Sequence, residues 1–184
     1  AASDVYKRQT PYRGWVLKIS PDGKMTPFAP GFRSPNGLGV NLQDRLFVTD
    51  NQGDWLGTSK LFHVQQGRFY GHPASLTWSS DWKKGRNPLK VAAGEFDAKR
   101  TRAAVLFPQG FMANSPTQPL PDSTKGRFGP FAGQLLVGEM NRSRIVRVML
   151  DEVAGELQGA CVPFYDDAGL TRGSHRFVFG SDGS

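Results

Sequence analysis

One cysteine in 184 residues, Cys161, excludes an internal disulfide and any cysteine-built metal cluster. No stretch approaches the roughly 18 consecutive apolar residues that a membrane-spanning helix needs. The N-terminus has no apolar core of the kind that marks a secretion signal. Histidines number three, His63, His72 and His175, and they lack metal-ligand spacing. There is no Gly-x-Ser-x-Gly elbow, so a serine hydrolase has no support. Neither a Gly-x-Gly-x-x-Gly turn nor a P-loop occurs, which removes nicotinamide and nucleotide-phosphate sites as starting assumptions.

What the chain does have is glycine (22), proline (13) and a hydrophobic fraction of 38%, with the apolar residues in short runs. That is the composition of a turn-rich globular protein and not of a helical one. Net charge is +7, but the 23 basic residues are scattered. The densest groups are Lys83-Lys84-Arg86 and Lys99-Arg100-Arg102. No zinc-finger spacing or aromatic ribonucleoprotein motif accompanies them, so a solvated basic face is expected and a nucleic-acid partner is not. Cys161, in the apolar "ACVPF", reads as a buried small residue. The opening "AASDVYKRQ" has no periodicity and joins poorly to the patterned chain after it. Residues 1–11 are therefore expected to be a non-native or disordered leader. Residues 12–184 are expected to form one partial domain, truncated at both ends.

The pattern from Tyr12 onward is one of strands and turns. "GWVLKIS" runs into Pro21-Asp22-Gly23, which favours a tight reversal, and "KMTPF" completes a hairpin. "NGLGV", "RLFVTD", "KLFHV" and, after a Gln66-Gly67 turn, "RFYG" fit one four-stranded antiparallel unit over residues 36–71. A second unit echoes the first: "GQLLVGEM" answers "DRLFVTDN", "SRIVRV" answers "SKLFHV", and "GELQGACVPF" follows. "HRFVFGSDGS" then restates "GLGVNLQDR" as a strand and a polar turn. Repeats of about 40–45 residues with four strands each are propeller blades. The fold class expected is all-β, a β-propeller fragment of about half a six-bladed ring, with four-stranded antiparallel blades and long loop insertions. Residues 74–130, polar at first and then rich in Pro and Gly, read as long loops on a propeller face, with a short helix hidden in "PLKVAAGEFDAKRTRAAV".

The quoted motifs carry a resemblance. "RSPNGLGVNLQDRLFVTDNQGDW", followed by "SKLFHVQQGRFYGHP", resembles the glucose/sorbosone dehydrogenase family, six-bladed propellers that bind pyrroloquinoline quinone. It looks closest to a branch in environmental bacteria assigned to membrane-bound or haem-partnered dehydrogenases. The matching features are Arg33-Ser34-Pro35-Asn36-Gly37, the polar loop with Gln52-Gly53, the close Arg68-Phe69-Tyr70-Gly71-His72-Pro73, and "GQLLVGEMNRSRIVRVMLD". The resemblance implies a dehydrogenase that transfers hydride from a sugar or alcohol carbinol to the quinone, assisted by Ca²⁺. It implies a c-type cytochrome as electron acceptor and a periplasmic or extracellular location. Among site residues it implies Arg33, Asn36 and Arg176 as quinone or substrate contacts, and Arg172 as an alternative to Arg176. Asn141 stands where relatives place a lysine on the cofactor, and Phe107 where they place a stacking tryptophan. The carbonyls of Gly53 and Asp54 match positions that hold the Ca²⁺. The histidine that takes the substrate proton would lie upstream of residue 1.

The chemistry suits these residue types. The quinone is a tricarboxylate, which arginines clamp bidentately, and Ca²⁺ prefers oxygen ligands of the kind an irregular loop supplies. Other readings stand beside this one. Asp50 to Asp54 also fit an Asx-type turn closed on local N–H groups. Trp55, Trp78 and Trp82 can stack on a sugar ring or pack beneath the loops. A Ca²⁺-dependent lactonase of the gluconolactonase type, again a six-bladed propeller, would make Asn36 a metal ligand and Asp50 or Asp54 a metal or base candidate. A non-catalytic propeller that binds protein or glycan is the third reading, since fold does not fix function.

Overall fold

The computed structural model describes residues 10–53, 55–82, 86–166, 169–170 and 173–184. Most of the expected leader, together with Asp54 and Arg172, lies outside the described residues. The chain divides into two compact units, one of residues 1–34 and 65–102 and the other of residues 35–64 and 103–184.

The first unit holds the expected hairpin. Strand β1 (Trp15–Ile19) pairs antiparallel with β2 (Met25–Pro30), with a bulge at Val16/Leu17. Beyond β2, Gly31 has φ +111°, and a Cβ there would lie 2.2 Å from the backbone nitrogen of Tyr70, so only glycine fits. "RFYG" does not complete a blade as expected. The Gly67, Tyr70 and His72 N–H groups donate instead to the carbonyls of Phe28, Pro30 and Gly31, which draws this segment onto β2. The helix sought in residues 88–105 reduces to a 3-10 turn, Pro88–Lys90, and a short helix, α1 (Ala93–Asp97). Trp82 stacks on Phe96 and Trp78 lies against Tyr12, so both tryptophans pack under the loops.

The second unit consists of two four-stranded antiparallel meanders, each a propeller blade. The first contains β3 (Pro35–Val40), β4 (Leu46–Asp50), β5 (Ser59–His63) and β6 (Val105–Phe107), hydrogen-bonded in that order. The second contains β7 (Pro116–Pro121), β8 (Leu135–Glu139), β9 (Arg144–Val153) and β10 (Glu156–Asp166), again in order. Two strands differ from expectation. The fourth strand of the first blade is β6, reached only after the long excursion through the first unit. The first strand of the second blade, "PTQPLP", falls in the stretch read as a Pro-rich loop. Proline is tolerated in β7 because an end strand needs N–H donors on one side only. Residues 175–180, expected as a strand, form no ladder.

The alternation of the strands explains the core. Phe47 and Leu61 from one blade face Leu135, Val137, Val146 and Val148 from the other, with Val105, Phe107 and Ala113 filling between them. Burying a side chain of this size contributes about 1.5–3 kcal/mol. Gly37 and Gly39 bring β3 against β7: a Cβ on either would lie 2.0 Å from a carbonyl oxygen, of Thr117 and of Pro119 respectively. The Gly-x-Gly pattern in "NGLGV" is thus a packing requirement between blades. Thr49 locks the same contact, donating its hydroxyl to Thr117 O at 2.8 Å and accepting from Gly37 N at 2.9 Å.

Candidate functional site

The antiparallel registers place the candidate residues at one end of both blades. Pro35 pairs with Asp50, Ser59 with Phe107, Pro116 with Glu139, and Arg144 with both Glu139 and Asp166. Asn36 reaches across to the second blade, its Nδ2 donating to Pro116 O at 3.4 Å. Most of the fully buried polar side chains of this unit gather at that same end: Thr49, Asp50, Ser59, Lys60, Thr117, Glu139 and Arg144. A concentration of buried polar groups demands partners, and those partners are mainly loop backbone.

Residues 108–115 are tied down from three strands. Ser59 donates its hydroxyl to Asn114 O at 2.8 Å, and Glu139 Oε1 accepts from Ser115 N at 2.7 Å. Arg144 donates to the carbonyls of Phe111 and Met112 and makes a two-pronged pair with Asp166 at 3.0 and 2.5 Å. The hydrogen bonds from Arg144, and then its charge, hold the Asp166 carboxyl below the usual carboxylate range.

A second knot closes the loop that leaves β4. The Lys60 side chain is only 4% exposed, and its ammonium donates to Asn51 O at 2.8 Å and Thr58 O at 3.3 Å. Asp50 Oδ2 lies 3.7 Å from the same nitrogen. Gln52 N donates to Ser59 Oγ and Gly53 N to Leu56 O, so much of this polar run is spent on closing its own turn. The loop is thus closed through its backbone, Ser59 and Lys60, and the bonds described do not include the side-chain-to-N–H closure of the Asx-type turn expected over Asp50 to Asp54. One acceptor, Asn51 Oδ1, is buried without a hydrogen-bond partner.

The residues left facing solvent form a third group, which includes two of the sequence candidates. His175 Nε2 lies 3.1 Å from Asn36 Oδ1, and Arg176 donates to Asn36 O at 3.3 Å and to His175 O at 2.8 Å. The segment carrying them is anchored on the second blade, with Ser174 N donating to Glu139 O and Thr117 Oγ1 to Ser174 O. Because Asn36 Nδ2 donates to Pro116 O, its Oδ1 must be the atom facing the imidazole. In neutral His175 that acceptor fixes the proton on Nε2 and leaves Nδ1 as an acceptor.

The other candidates make none of the hydrogen bonds of this group. Asn141 is exposed in the turn between β8 and β9. Phe107 is wholly buried in the core between the blades, so its ring offers no face to a cofactor. Gly53 is half-buried in the β4–β5 loop. Arg33 is half-buried and belongs to the other compact unit. His175, noted in the sequence only as lacking metal-ligand spacing, is the residue the sequence reading undervalued. Its only signal was its place beside Arg176 in "SHRF".

No family sequence model and no curated protein matches the chain. Solved structures do match. A protein from Thermus thermophilus assigned as an oxidoreductase (glucose dehydrogenase) aligns with 92% of this chain and 46% of its own, at 20% identity and a TM-score of 0.59. The PQQ-bound aldose sugar dehydrogenase of Streptomyces coelicolor aligns with 84% of this chain and 41% of its own, at 18% identity and a TM-score of 0.51. The holo PQQ domain of pyranose dehydrogenase from Coprinopsis cinerea aligns with 92% and 52%, at 15% identity and a TM-score of 0.53. The chain thus spans about half the length of the solved structures it matches. With these neighbours and two four-stranded meanders in register, the fold is that of part of a β-propeller, shared with sugar dehydrogenases.

Proposed function

We propose that this chain is part of a quinone-dependent dehydrogenase acting on a sugar or alcohol, with the Asn36–His175–Arg176 group as its share of the cofactor site. The observation that carries the reading is that group itself: an exposed guanidinium, an amide and an imidazole, joined by hydrogen bonds at one end of the blades. It supports the reading because pyrroloquinoline quinone is an anion at neutral pH, and two of the fold's neighbours are PQQ-bound. Arg176 has five N–H donors, and those not engaged by Asn36 and His175 suit a carboxylate. Asn36 holds His175 in one orientation and one tautomer, so its Nδ1 is available to accept a hydrogen bond from a hydroxyl. Asn141 is a secondary member of the proposal. When bound, the quinone supplies the two-electron acceptor for a substrate carbinol. A c-type cytochrome acceptor and an extracytoplasmic location belong to the same proposal.

The Ca²⁺ that the resemblance implies at Gly53 and Asp54 is left out of the proposal: Asp54 lies outside the described residues, and the same loop already carries the buried Lys60 ammonium. Two carbonyls of the β4–β5 loop, those of Asn51 and Thr58, and the Asp50 carboxylate of β4 are among the groups around that ammonium. The experiment is a titration of the protein with pyrroloquinoline quinone, followed by absorbance, and an aldose-dependent dye-reduction assay. Saturable binding is expected, with affinity about tenfold weaker or worse in Arg176→Met, on the scale of a charge-assisted hydrogen bond. Binding equally tight in Arg176→Met would remove this group from the site, and no saturable binding would defeat the quinone reading.

A further inference from the structure

We infer that Lys60 is the resident cation of the β4–β5 loop, and that its ammonium holds the loop where a divalent metal would otherwise be required. The argument begins with burial. A lysine side chain with 4% exposure must have its charge met from within, and the partners include Asn51 O, Thr58 O and Asp50 Oδ2. These are the oxygen donors, backbone carbonyls and a carboxylate, that a hard metal ion also selects. The two carbonyls come from opposite ends of the loop, before and after its half-buried Trp55, so a single ammonium pins both ends together. Asp50 itself is 1% exposed and pairs across the ladder with Lys60, so the counter-charge is built into the sheet and does not depend on the loop.

A divalent ion at these same oxygens would meet the positive charge of Lys60 at close range, in a place where water screens poorly. Asn51 Oδ1 is the acceptor left over, buried and without a hydrogen-bond partner. It is the acceptor through which an ion could enter once the ammonium is removed. Lys60 is therefore a positioning residue: it fixes the loop's backbone and excludes the metal. This does not depend on what binds at Arg176.

The test compares the chain with its Lys60→Met variant, which keeps the stem and removes the charge. The readouts are thermal unfolding with Ca²⁺ or chelator, and Tb³⁺ luminescence sensitised through Trp55. In the unaltered chain, Ca²⁺ and chelator should leave Tm unchanged and Tb³⁺ should give no saturable signal. Lys60→Met should lose on the order of 10 °C of Tm, regain part of it in millimolar Ca²⁺, and acquire saturable Tb³⁺ luminescence. A lysine that merely packed would cost stability without conferring a response to ions. If the variant folds only poorly in buffer, refolding in Ca²⁺ is the same test, with recovery supporting the inference and failure to recover overturning it. A rise of about 5–10 °C with Ca²⁺ in the unaltered chain would overturn it, since that is the shift expected of a resident ion at roughly 100 times its Kd. So would a Lys60→Met variant that folds and ignores both ions.

Discussion

Replacing Gly37 with alanine tests the contact on which both the fold and the site depend. The added Cβ would lie 2.0 Å from Thr117 O and 2.6 Å from Thr49 Oγ1. A comfortable separation is about 3.5 Å, so β3 and β7 must part by more than ~1 Å. Overpacking of this kind costs about 1–3 kcal/mol. Separation also weakens the buried hydrogen bond from Thr49 to Thr117 O, for about another 1–3 kcal/mol. The expected loss is about 2–5 kcal/mol, equivalent to a drop of roughly 5–15 °C in Tm for a chain of this size. Urea and thermal unfolding measure it, with Gly57→Ala as the control, because a Cβ at Gly57 meets nothing within 4 Å. Asn36 is the adjacent residue on β3, so moving the strand should also cost its bond to His175. Quinone binding should therefore fall in Gly37→Ala and hold in Gly57→Ala. A Gly37→Ala protein within about 0.5 kcal/mol of the parent would refute the reasoning, because surface substitutions without a structural cost fall in that range.

Phe107→Ala should destabilise by about 3–5 kcal/mol in denaturant unfolding, as expected for a wholly buried phenylalanine, and should leave quinone affinity per folded molecule unchanged. A loss of affinity at unchanged stability would return Phe107 to the cofactor. Asp166→Asn should reduce stability at neutral pH. The folded-state pKa of Asp166 is depressed by Arg144, so its contribution is present above the unfolded value of about 3.9 and is lost as pH falls through the lower folded value. The gap between variant and parent should close in acid, and a gap that stays constant in a pH series of melts would contradict this. Cys161 is half-buried and burial raises its thiol pKa, so an aromatic disulfide reagent at neutral pH should react slowly with the folded chain and faster in urea. Equal rates in both states would show the thiol to be open.

The blades were legible where alternation and turn chemistry agreed. "RLFVTD", "KLFHV", "GQLLVGEM" and "SRIVRV" each alternate apolar positions between short turns, and each is a strand. The sequence misled where a strand's partner was decided at a distance. "RFYG" has good strand composition, yet its N–H groups found carbonyls on and just beyond β2, within the first compact unit. The edge of β5 was left to Val105–Phe107, three residues that announce nothing by themselves. β7 was hidden for the opposite reason, because three prolines in "PTQPLP" speak against a strand everywhere except at the end of a sheet. Within the site, Asn36 and Arg176 could be named from the resemblance, but His175 could not, because its role rests on a hydrogen bond across 139 positions. Lys60 carried no signal at all: a lysine second in a strand usually points to water, and this one is buried beside Asp50 and the Asn51 and Thr58 carbonyls.

The division between buried and exposed polar groups is what separates scaffold from site. Ser59, Glu139, Arg144 and Lys60 sit within a few residues of the candidate positions, and each would look functional on a list of polar residues at a propeller's end. Apart from Glu139 Oε2, which is buried without a hydrogen-bond partner, the bonds these side chains make are directed mainly at loop carbonyls and N–H groups, and removing any of them would first loosen a loop. Such groups cannot also offer the same atoms to a ligand. Asn36, His175 and Arg176 are different because their mutual bonds use only part of their capacity: the guanidinium keeps donors and the imidazole keeps one nitrogen. A ligand that binds this end must therefore present acceptors to Arg176 and a donor to His175. An anion bearing carbonyls and carboxylates meets the first demand, and a hydroxylated substrate meets the second.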